Sequence, residues 1–506
     1  MQLAKLFTDI SILDFQADPE MEVNGLAYSS LEVKPGFLFV AIKGNSQNGH
    51  DYMTEAVKNG AVALVGEDFR DIHMQFPRIV VKDSREALSA LAANFYDHPN
   101  RKINLAGITG TNGKTTTSYI LESMLSAAGR MPGIIGTVNY RLPGLTLHAP
   151  VTTPESLDLM RILRMMEDNG VTDAVIEVSS HALVQKRTND CPFRVVIFTN
   201  LTRDHLDYHH SMEAYFEAKT LLFRNTSKER PVNFTKAIIN TDDPKGKELA
   251  KITDFPVLTY GSGKDCDFRA YQLRLTRAGL TARMITPSGE MDIRSQLLGS
   301  YNIYNILAAS AAAYAMDIEI DIIREGIGNL KSVPGRLELV DPGRLPAVIV
   351  DYAHTPDALH KSLTAVKEIV TGKVITVFGC GGDRDRGKRP EMGRIAGENS
   401  NIAIITSDNP RTEDPESIIE QVEKGILECG LEKLSNTHNK GSSGYFLEKD
   451  RKKAILKAVE IADSKDLILI AGKGHEDYQI VGKEKRHFDD REAAKEALDN
   501  FGIQET

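Results

Sequence analysis

The chain has 506 residues, of which 41% are hydrophobic and 26% charged, which is ordinary for a globular protein with about three domains. Acidic side chains outnumber Lys plus Arg by 70 to 61, and a net charge of -9 without a basic tract argues against nucleic acid as the main partner. The four cysteines form no CxxC pair, the N-terminus lacks a signal-peptide pattern, and no apolar run reaches the ~20 residues that span a bilayer, so we expect a cytoplasmic protein without membrane insertion.

Residues 1–101 are predicted to form a small α/β domain. Two apolar runs, 37–42 and 61–65, have the length and the glycine boundaries of strands. Between them, residues 52–60 are typical of a helix that ends at a glycine.

Residues 102–333 are predicted to form a second, doubly wound α/β domain, because strand-like runs alternate with helical stretches. These runs lie at 103–108, 174–178, 195–199 and 237–239. In a parallel sheet of this kind, ligands bind beyond the carboxyl ends of the strands, and this rule directs attention to the residues that follow each run.

Residues 334–506 are predicted to form a Rossmann-like third domain. Its strand candidates, again separated by helical stretches, are 347–350, 374–378, 402–406 and 467–470. The polar, glycine-containing stretch 433–444 is predicted to be a surface loop.

The strongest local motif is GITGTNGKT, from Gly107 to Thr115. It follows a predicted strand and opens a helix whose apolar residues share one face and which is predicted to end at Gly129. Glycines allow backbone N–H groups to cradle phosphates, Lys114 is placed to reach the terminal phosphates, and the Thr115 hydroxyl is suited to magnesium. The strict phosphate-loop pattern has glycine where this chain has Ile108, and the alternative is a glycine-rich turn with a chance Gly-Lys-Thr.

Polar residues follow the next two predicted strands. Glu177 closes the first strand, before Ser-Ser-His at 179–181, and Asn200 follows the second, before 202–207 (TRDHLD). A carboxylate and an imidazole at adjacent strand ends could hold a metal that bridges two phosphates. Taken alone, a Glu or His at a strand end is more often a cap or a surface group.

Together these motifs resemble the Mur ligases. The matching runs are GITGTNGKTTT, EVSSHAL, TNLTRDHLDYH and YFEAK (215–219), followed by segments at 240–244, 298–305, 334–336 and 351–354. The resemblance implies three domains that bind a UDP-sugar peptide, ATP and an incoming amino acid. It also implies that ATP phosphorylates a carboxylate to an acyl phosphate, which an amine then attacks.

The resemblance assigns nucleotide contacts to Gly110, Thr111, Asn112, Gly113, Lys114, Thr115, Thr116, Asn302, Asn305, Arg336 and Asp351. It implies that Thr115 and Glu177 ligate one magnesium ion and His205 a second, and that Lys114, Lys219, His205 and Glu177 form the catalytic set. Lys219 matches the family's lysine that CO2 converts to a carbamate, an anion able to bind a metal. The alternative for Lys219 is a helix-surface lysine paired with Glu217 or a neighbour.

A UDP-MurNAc-L-Ala-D-Glu site is implied by Thr152, Thr153, Ser179 and Arg187, which resemble the muramoyl-dipeptide contacts of one branch of the family. The family's Asp-Ser-Arg in the first domain is replaced here by Tyr-Ser-Ser-Leu at 28–31. Ser30 keeps the serine of that motif, and Asn-Gly-His at 48–50 resembles the next segment on the uridine side.

The amino-acid substrate is inferred from Asp408-Asn409-Pro410-Arg411, which resembles the signature of family members that add meso-diaminopimelate. An arginine fork can bind the second carboxylate of diaminopimelate, and lysine would leave that fork unpaired. Arg384 offers a second cation, and Gly472 and Glu476 are assigned to the distal amine.

Several alternatives remain open at this stage: a lysine-adding ligase, a ligase similar to folylpolyglutamate synthase, a phosphate-loop NTPase that is not a ligase, and a nucleotide-binding protein without catalysis. The first domain and the Asp-Asn-Pro-Arg run argue against folylpolyglutamate synthase, and the NTPase hypothesis gives no role to Lys219 or Arg411. We expect a monomer.

Overall fold

The computed structural model describes residues 1–44, 47–69, 76–224, 234–435 and 443–504. Contacts divide the chain into two compact units. The first comprises Met1–Arg269, Ile285–Gly289 and Tyr304–Gly326, and the second comprises Ala270–Met284, Glu290–Ile303 and Ile327–Thr506. Across the described ranges, every helix is too short or too polar to span a bilayer.

The first unit begins with a five-stranded sheet in the order β1-β5-β4-β3-β2, parallel except for β1. Its strands are β1 (Ile12–Gln16), β2 (Gly25–Ala27), β3 (Phe37–Val40), β4 (Ala61–Gly66) and β5 (Arg78–Val81). Its helices are α1 (Leu3–Leu6), α2 (Met53–Lys58), α3 (Ser84–Phe95) and α4 (Pro99–Lys102), with 3-10 turns at Ser30–Glu32 and Gly49–Tyr52.

The second sheet of the first unit has the order β13-β12-β11-β6-β10-β7-β8-β9 and is parallel from β13 to β7. Its strands are β6 (Asn104–Thr109), β7 (Pro132–Ile135), β8 (Asn139–Leu142), β9 (Leu145–His148), β10 (Asp173–Glu177), β11 (Phe193–Phe198), β12 (Lys236–Asn240) and β13 (Val257–Gly261). The helices along this part of the chain are α5 (Lys114–Ala127), α6 (Ser156–Asp168), α7 (Ser180–Val184), α8 (Leu206–His209), α9 (Met212–Thr220) and α10 (Pro244–Ile252), with a 3-10 turn at Leu221–Phe223.

The chain then forms β14 (Phe268–Thr276), β15 (Gly279–Thr286), β16 (Gly289–Ser295), α11 (Asn302–Ala315) and α12 (Ile320–Asn329), which are divided between the units at the boundaries given above.

A six-stranded sheet forms the centre of the second unit, in the order β17-β19-β23-β20-β21-β22 and parallel except for β17. The strands of this unit are β17 (Glu338–Val340), β18 (Arg344–Leu345), β19 (Ala347–Asp351), β20 (Val374–Phe378), β21 (Ile402–Ile405), β22 (Gly444–Leu447), β23 (Leu467–Ala471), β24 (Tyr478–Val481), β25 (Glu484–His487) and β26 (Ile503–Gln504). Its helices are α13 (Pro356–Lys367), α14 (Lys388–Asn399), α15 (Pro415–Leu427), α16 (Arg451–Ile461) and α17 (Asp490–Phe501).

Both faces of this six-stranded sheet are buried. Along β23, Leu467 and Leu469 pack into one hydrophobic core, and Ile468 and Ile470 pack into another. A strand that is buried on both faces is apolar throughout, which explains why these strands are continuous apolar runs in the sequence.

The strands predicted from the sequence are all present, with ends that agree to within two residues. The predicted helix at 52–60 begins one residue later and ends at Lys58. The predicted loop 433–444 is wrong at its ends, because Lys433 forms a bridge with Tyr445 and Gly444 begins β22. The part of this prediction at 436–442 lies outside the described residues.

Candidate active site

The phosphate loop connects β6 to α5 in the first unit. Gly110 and Gly113 have φ values of 140° and 90°, a region that residues with a Cβ rarely adopt. A Cβ at these positions would overlap Thr199 Oγ1 and Asn305 Oδ1, respectively. Each of the two positions therefore requires glycine for two reasons, the backbone conformation and the lack of space for a side chain.

The loop is fastened to Asn200, two residues beyond the end of β11. Thr111 N donates to Asn200 O at 2.8 Å, and Asn112 N donates to Asn200 Oδ1 at 3.0 Å. Lys114 Nζ lies over the loop and donates to Gly110 O and Thr111 O at 2.8 and 2.9 Å. The loop, the N-terminus of α5 and this ammonium together form a cradle suited to phosphate oxygens.

A buried carboxylate lies beside the first turn of α5. Glu177, at the end of β10, is 1% exposed, and its Oε2 accepts a hydrogen bond from Thr115 Oγ1 at 3.0 Å. Thr137, which follows β7, donates to the same carboxylate from its N at 3.0 Å and from its Oγ1 at 2.9 Å. A hydroxyl and a carboxylate are hard oxygen ligands of the kind that magnesium prefers.

These groups fit a magnesium ion that is bound partly by nucleotide. The described residues contain no group of three His, Cys, Asp or Glu side chains that could hold a metal by themselves. Magnesium commonly takes one or two protein oxygens and completes its coordination with phosphate oxygens and water. Thr115 and Glu177 supply such a pair at the edge of the phosphate cradle.

One detail of the predicted site is wrong. Glu177 and His205 were expected at the ends of adjacent strands, but β10 and β11 lie on opposite sides of β6 in the sheet. Chain order misled the prediction, because the first strand of a doubly wound sheet usually lies centrally and later strands are added on both sides. The phosphate loop therefore lies between the two sets of candidate ligands.

On the β11 side, a cluster of rings surrounds His205. Its ring centroid lies 5.0 Å from that of His181 and 6.1 Å from that of Tyr215, and its side chain is 46% exposed. His209 Nε2 lies 2.9 Å from Ser180 Oγ, and its ring lies 5.5 Å from that of His181. Desolvation and the neighbouring His205 lower the pKa of His181 to about 4.

Lys219 is buried under this cluster. The side chain is 2% exposed, and its Nζ lies 4.4 Å from the centroid of the Tyr215 ring. Tyr215 OH in turn lies 3.3 Å from Thr111 Oγ1 of the phosphate loop. Burial and the nearby Lys114 ammonium hold the pKa of Lys219 well below its ordinary value. The predicted alternative of a helix-surface lysine is wrong.

The predicted dipeptide contacts surround the end of β10. Thr153 Oγ1 donates to Glu177 O at 2.7 Å, and Ser179 N donates to Thr153 Oγ1 at 3.0 Å. Arg187 Nη1 donates to Thr153 O at 2.7 Å, and Thr152 Oγ1 lies 3.1 Å from Thr137 Oγ1. These four predicted residues thus surround Glu177: Thr153, Ser179 and Arg187 connect to its backbone carbonyl, and Thr152 connects to its carboxylate through Thr137.

Ser30, the residue predicted on the uridine side, lies apart from this group. Its Oγ donates to Glu55 Oε2 at 2.8 Å, within the region of the N-terminal sheet. Its neighbour Tyr28 donates from its OH to Asp158 Oδ2 of α6 at 2.7 Å.

Two further predicted nucleotide contacts lie in the first unit. Thr116 is buried in the first turn of α5, and Asn305 on α11 accepts a hydrogen bond from Thr117 Oγ1 at 3.5 Å. Asn302 belongs to the second unit, where its Nδ2 donates to Leu298 O at 2.6 Å.

Asp351 and Arg336 lie together in the second unit. Asp351 accepts hydrogen bonds from Leu337 N at 2.7 Å and Ala353 N at 2.9 Å, and burial raises its pKa. The Arg336 guanidinium lies 4.9 Å from the centroid of the Tyr352 ring. Asp351 thus fixes the backbone directly after Arg336, at Leu337, and the backbone directly after β19, at Ala353.

The predicted diaminopimelate arginines meet at Gly381 in the second unit. An added Cβ at Gly381 would lie 3.0 Å from Arg411 Nη1 and 3.9 Å from Arg384 Cγ, so both side chains border this glycine. Arg411 has a φ of 51°, and its Nη1 donates to Gly382 O at 2.8 Å.

The other predicted residues of this site surround the end of β23. Asp408 Oδ1 accepts from Asn409 N at 2.7 Å, and Asp408 Oδ2 would be 2.7 Å from a Cβ at Gly472, whose φ is 120°. Asn409 Nδ2 donates to Glu476 Oε2 at 2.9 Å. All six predicted residues are therefore at the carboxyl edge of the six-stranded sheet.

Three residues of these sites were missed from the sequence. Thr137 is one of them, although it follows a strand, which is the signal that identified Glu177. Gln185 is the second: its Oε1 accepts from Arg187 Nε at 3.1 Å and Nη2 at 2.6 Å. Lys473 is the third, and no sequence pattern distinguishes a buried lysine from a surface lysine in a glycine-rich turn.

Models of the Mur ligase family match most of the chain. The Mur ligase family, catalytic domain matches residues 22–96, the Mur ligase middle domain matches 108–313, and the Mur ligase, glutamate ligase domain matches 335–474.

Curated relatives match over nearly the full length. The UDP-N-acetylmuramoyl-L-alanyl-D-glutamate--2,6-diaminopimelate ligase of Geobacter metallireducens is 47% identical over 482 residues, 94% of each chain. The ligase of the same name from Geobacter sulfurreducens is 46% identical over 498 residues, 98% of each chain.

A solved structure of a protein with this ligase name covers 99% of both chains, with a TM-score of 0.70 and 31% identity. MurF from Acinetobacter baumannii has a TM-score of 0.64 at 18% identity, covering 93% of this chain and 95% of that one, and shows a shared fold.

Proposed function

The chain belongs to the Mur ligase family and is an ATP-dependent ligase that forms amide bonds, and from this premise we propose that it adds meso-diaminopimelate to UDP-MurNAc-L-Ala-D-Glu during peptidoglycan precursor synthesis. The observation that carries the proposal is the continuous group formed by Thr153, Ser179, Arg187 and the backbone carbonyl of Glu177, whose carboxylate lies beside the phosphate loop. It supports a site where a peptide carboxylate meets the γ-phosphate of ATP.

The reaction has two chemical steps in this proposal. A carboxylate oxygen of the D-Glu residue attacks the γ-phosphorus, ADP leaves, and an acyl phosphate forms. The amine of diaminopimelate then attacks the carbonyl carbon, loses a proton, and displaces phosphate to give the amide. Lys114 and the loop N–H groups stabilise the negative charge that builds up on the transferred phosphoryl group. Arg187, supported by Gln185, orients the peptide portion of the substrate.

Magnesium fits the proposed chemistry, and we assign Thr115 and Glu177 to one ion and His205 with a carbamylated Lys219 to a second. Magnesium, when bound, offsets phosphate charge and polarises the phosphoryl group. For Lys219, burial and the adjacent Lys114 favour a neutral amine. Such an amine can attack CO2, forming an N–C bond and releasing a proton, and the resulting carbamate is an anion matched to the cationic surroundings.

For the amino-acid substrate, we assign Arg384 and Arg411 to the distal carboxylate of diaminopimelate, and Asp408, Asn409, Gly472 and Glu476 to the recognition of its distal amine. Arginine and carboxylate form strong charge-assisted hydrogen bonds, whereas lysine lacks the second carboxylate and would leave the arginines unpaired. The diaminopimelate ligases named above support this choice over lysine.

We further propose that residues 1–101 bind the UDP moiety with Ser30, that residues 102–333 bind ATP, and that residues 334–506 bind the amino acid. Within this scheme, the phosphate-loop residues and Asn302, Asn305, Arg336 and Asp351 contact the nucleotide. A cytoplasmic monomer that binds no nucleic acid accords with these small-molecule substrates.

The test is phosphate release from ATP in the presence of UDP-MurNAc-L-Ala-D-Glu, with meso-diaminopimelate, with L-lysine, or with no amino acid. Release that depends on diaminopimelate, with a tripeptide product of matching mass, supports the proposal. Release with lysine alone would keep the ligase but overturn the roles of Arg384 and Arg411. Phosphate release without any tripeptide product would instead indicate an NTPase that is not a ligase.

A further inference from the structure

Lys473 is a buried lysine whose partners both belong to the proposed amino-acid site. Its side chain is 0% exposed, and its Nζ lies 3.2 Å from Glu476 Oε2 and 3.4 Å from Asn409 Oδ1. The Tyr478 ring lies on another side, with its centroid 5.3 Å from Nζ. A charge in such a position is tolerated only when it is well paired, so the lysine and its two partners form one unit.

The two partners also contact each other. Asn409 Nδ2 donates to Glu476 Oε2 at 2.9 Å, the same oxygen that faces Lys473. An ammonium group can only donate hydrogen bonds, so Lys473 requires the oxygen of the Asn409 amide on its own side. The amide nitrogen is then directed at Glu476. Lys473 therefore supports the orientation of the Asn409 amide, together with the Ile480 N–H that also donates to Asn409 Oδ1, and it holds the position of the Glu476 carboxylate.

The network extends to Arg411 through the hairpin of β24 and β25. Ile480 N donates to Asn409 Oδ1 at 2.9 Å, and Gln479 Nε2 donates to Asp408 O at 2.6 Å. Arg411 N donates to Ile480 O at 3.1 Å, and Gly482 N donates to Arg411 O at 2.7 Å. The backbone of Arg411 is thus fastened to a hairpin whose position depends on the Asn409 amide.

We propose that Lys473 is a positioning residue for the selection of the amino-acid substrate, holding Glu476 and Asn409 in the arrangement that recognises the distal end of diaminopimelate. The inference rests on the proposed function. Without the ammonium, Glu476 loses a donor and Asn409 Oδ1 keeps only the Ile480 N–H, so both residues are held less firmly and recognition weakens at both the amine and the arginine side. Lys473 itself, being fully buried, acts through these residues.

The test measures KM for each of the three substrates in Lys473→Met, which keeps the side-chain length and removes the charge. We expect KM for meso-diaminopimelate to rise about tenfold or more, as is usual when a hydrogen bond to a charged group is lost. KM for ATP and for UDP-MurNAc-L-Ala-D-Glu should stay within about twofold, and Lys473→Gln, which keeps a donor, should show a smaller rise. Lys452→Met is the matched control, because Lys452 is 57% exposed on α16 and should leave all three values unchanged.

A double-variant cycle distinguishes positioning from a general structural role. In the Glu476→Gln background, Lys473→Met should raise KM for diaminopimelate by less than about twofold further, because the partner is already altered. Equal rises in all three KM values, independent effects of the two substitutions, or an unchanged KM for diaminopimelate would overturn the inference.

If Lys473→Met does not fold, Lys473→Gln is judged by the same criteria. A wild-type enzyme that makes tripeptide with lysine alone would overturn both the proposed function and this inference. A wild-type enzyme that uses diaminopimelate, with unaffected Lys473 variants, would overturn the inference alone.

Discussion

The two glycines at either end of α5 provide a controlled test of the phosphate loop. Gly113 precedes the helix with a φ of 90°, and Gly129 follows it with a φ of 73°. Alanine at either position meets a similar backbone cost, about 1–2 kcal/mol for a left-handed conformation. The surroundings differ, since a Cβ at Gly113 would overlap Asn305 Oδ1 and a Cβ at Gly129 would have nothing within 4 Å.

Gly113→Ala should therefore weaken nucleotide binding, and Gly129→Ala should not. The added methyl must displace the Asn305 amide, and a lost hydrogen bond of about 0.5–1.5 kcal/mol corresponds to a roughly two- to tenfold rise in Kd. Both variants should lose thermal stability through the backbone cost, and Gly113→Ala should lose more because only its methyl overlaps a neighbouring side chain. The assay is calorimetric binding of ATP with magnesium, alongside thermal unfolding. An equal loss of ATP affinity in both variants, or none in Gly113→Ala, would refute the reasoning.

Three further predictions concern buried and paired charges. Lys219→Ala should abolish ligase activity, and short carboxylic acids should restore part of it by replacing the carbamate; an unchanged rate would contradict the carbamate role. Arg451 and Asp490 form a fully buried ion pair at 2.7 Å. Asp490→Asn should lower the free energy of unfolding by about 3–5 kcal/mol, because it leaves the Arg451 charge buried without its partner. The double variant Arg451→Met, Asp490→Leu should lower it much less, and urea unfolding of the second unit would measure both changes. Glu413, hydrogen-bonded to Arg389, has its pKa lowered from 4.5 to about 2. Because the pKa of Glu413 is lower in the folded than in the unfolded state, the stability that this carboxylate contributes is complete above pH 4.5 and is lost as the pH falls towards 2. Glu413→Gln should therefore flatten the pH dependence of the unfolding temperature between these two pH values.

The fold was largely predictable because its strongest signals are local. Continuous apolar runs identified the strands buried on both faces, and the glycine spacing between 107 and 113 identified the phosphate loop. Each signal follows from a backbone or burial requirement that a short segment must meet by itself. Glu177 was found in the same way, as a charged residue closing an apolar strand.

Contacts between distant segments were not predictable. The position of β6 between β10 and β11 depends on pairing across the whole sheet, and two strands that follow each other along the chain need not be neighbours in it. Thr137 reaches Glu177 only because β7 pairs with β10. Lys473 likewise reaches Asn409 of a distant segment, with 3.4 Å between its Nζ and Asn409 Oδ1, and a pattern of single residues does not reveal this contact.

Two lysines with nearly the same burial illustrate how surroundings decide chemistry. Lys219 is 2% exposed and lies over an aromatic ring, and its burial and the nearby Lys114 cation lower its pKa. Lys473 is 0% exposed and faces the carboxylate of Glu476. The first environment favours a neutral amine that can react with CO2, and the second favours an ion pair that orients its neighbours. Exchanging the surroundings should therefore exchange the behaviour: a carboxylate placed beside Lys219, as in Tyr215→Glu, should suppress carbamate formation measured by 13C NMR with labelled CO2, whereas Tyr215→Phe should retain it.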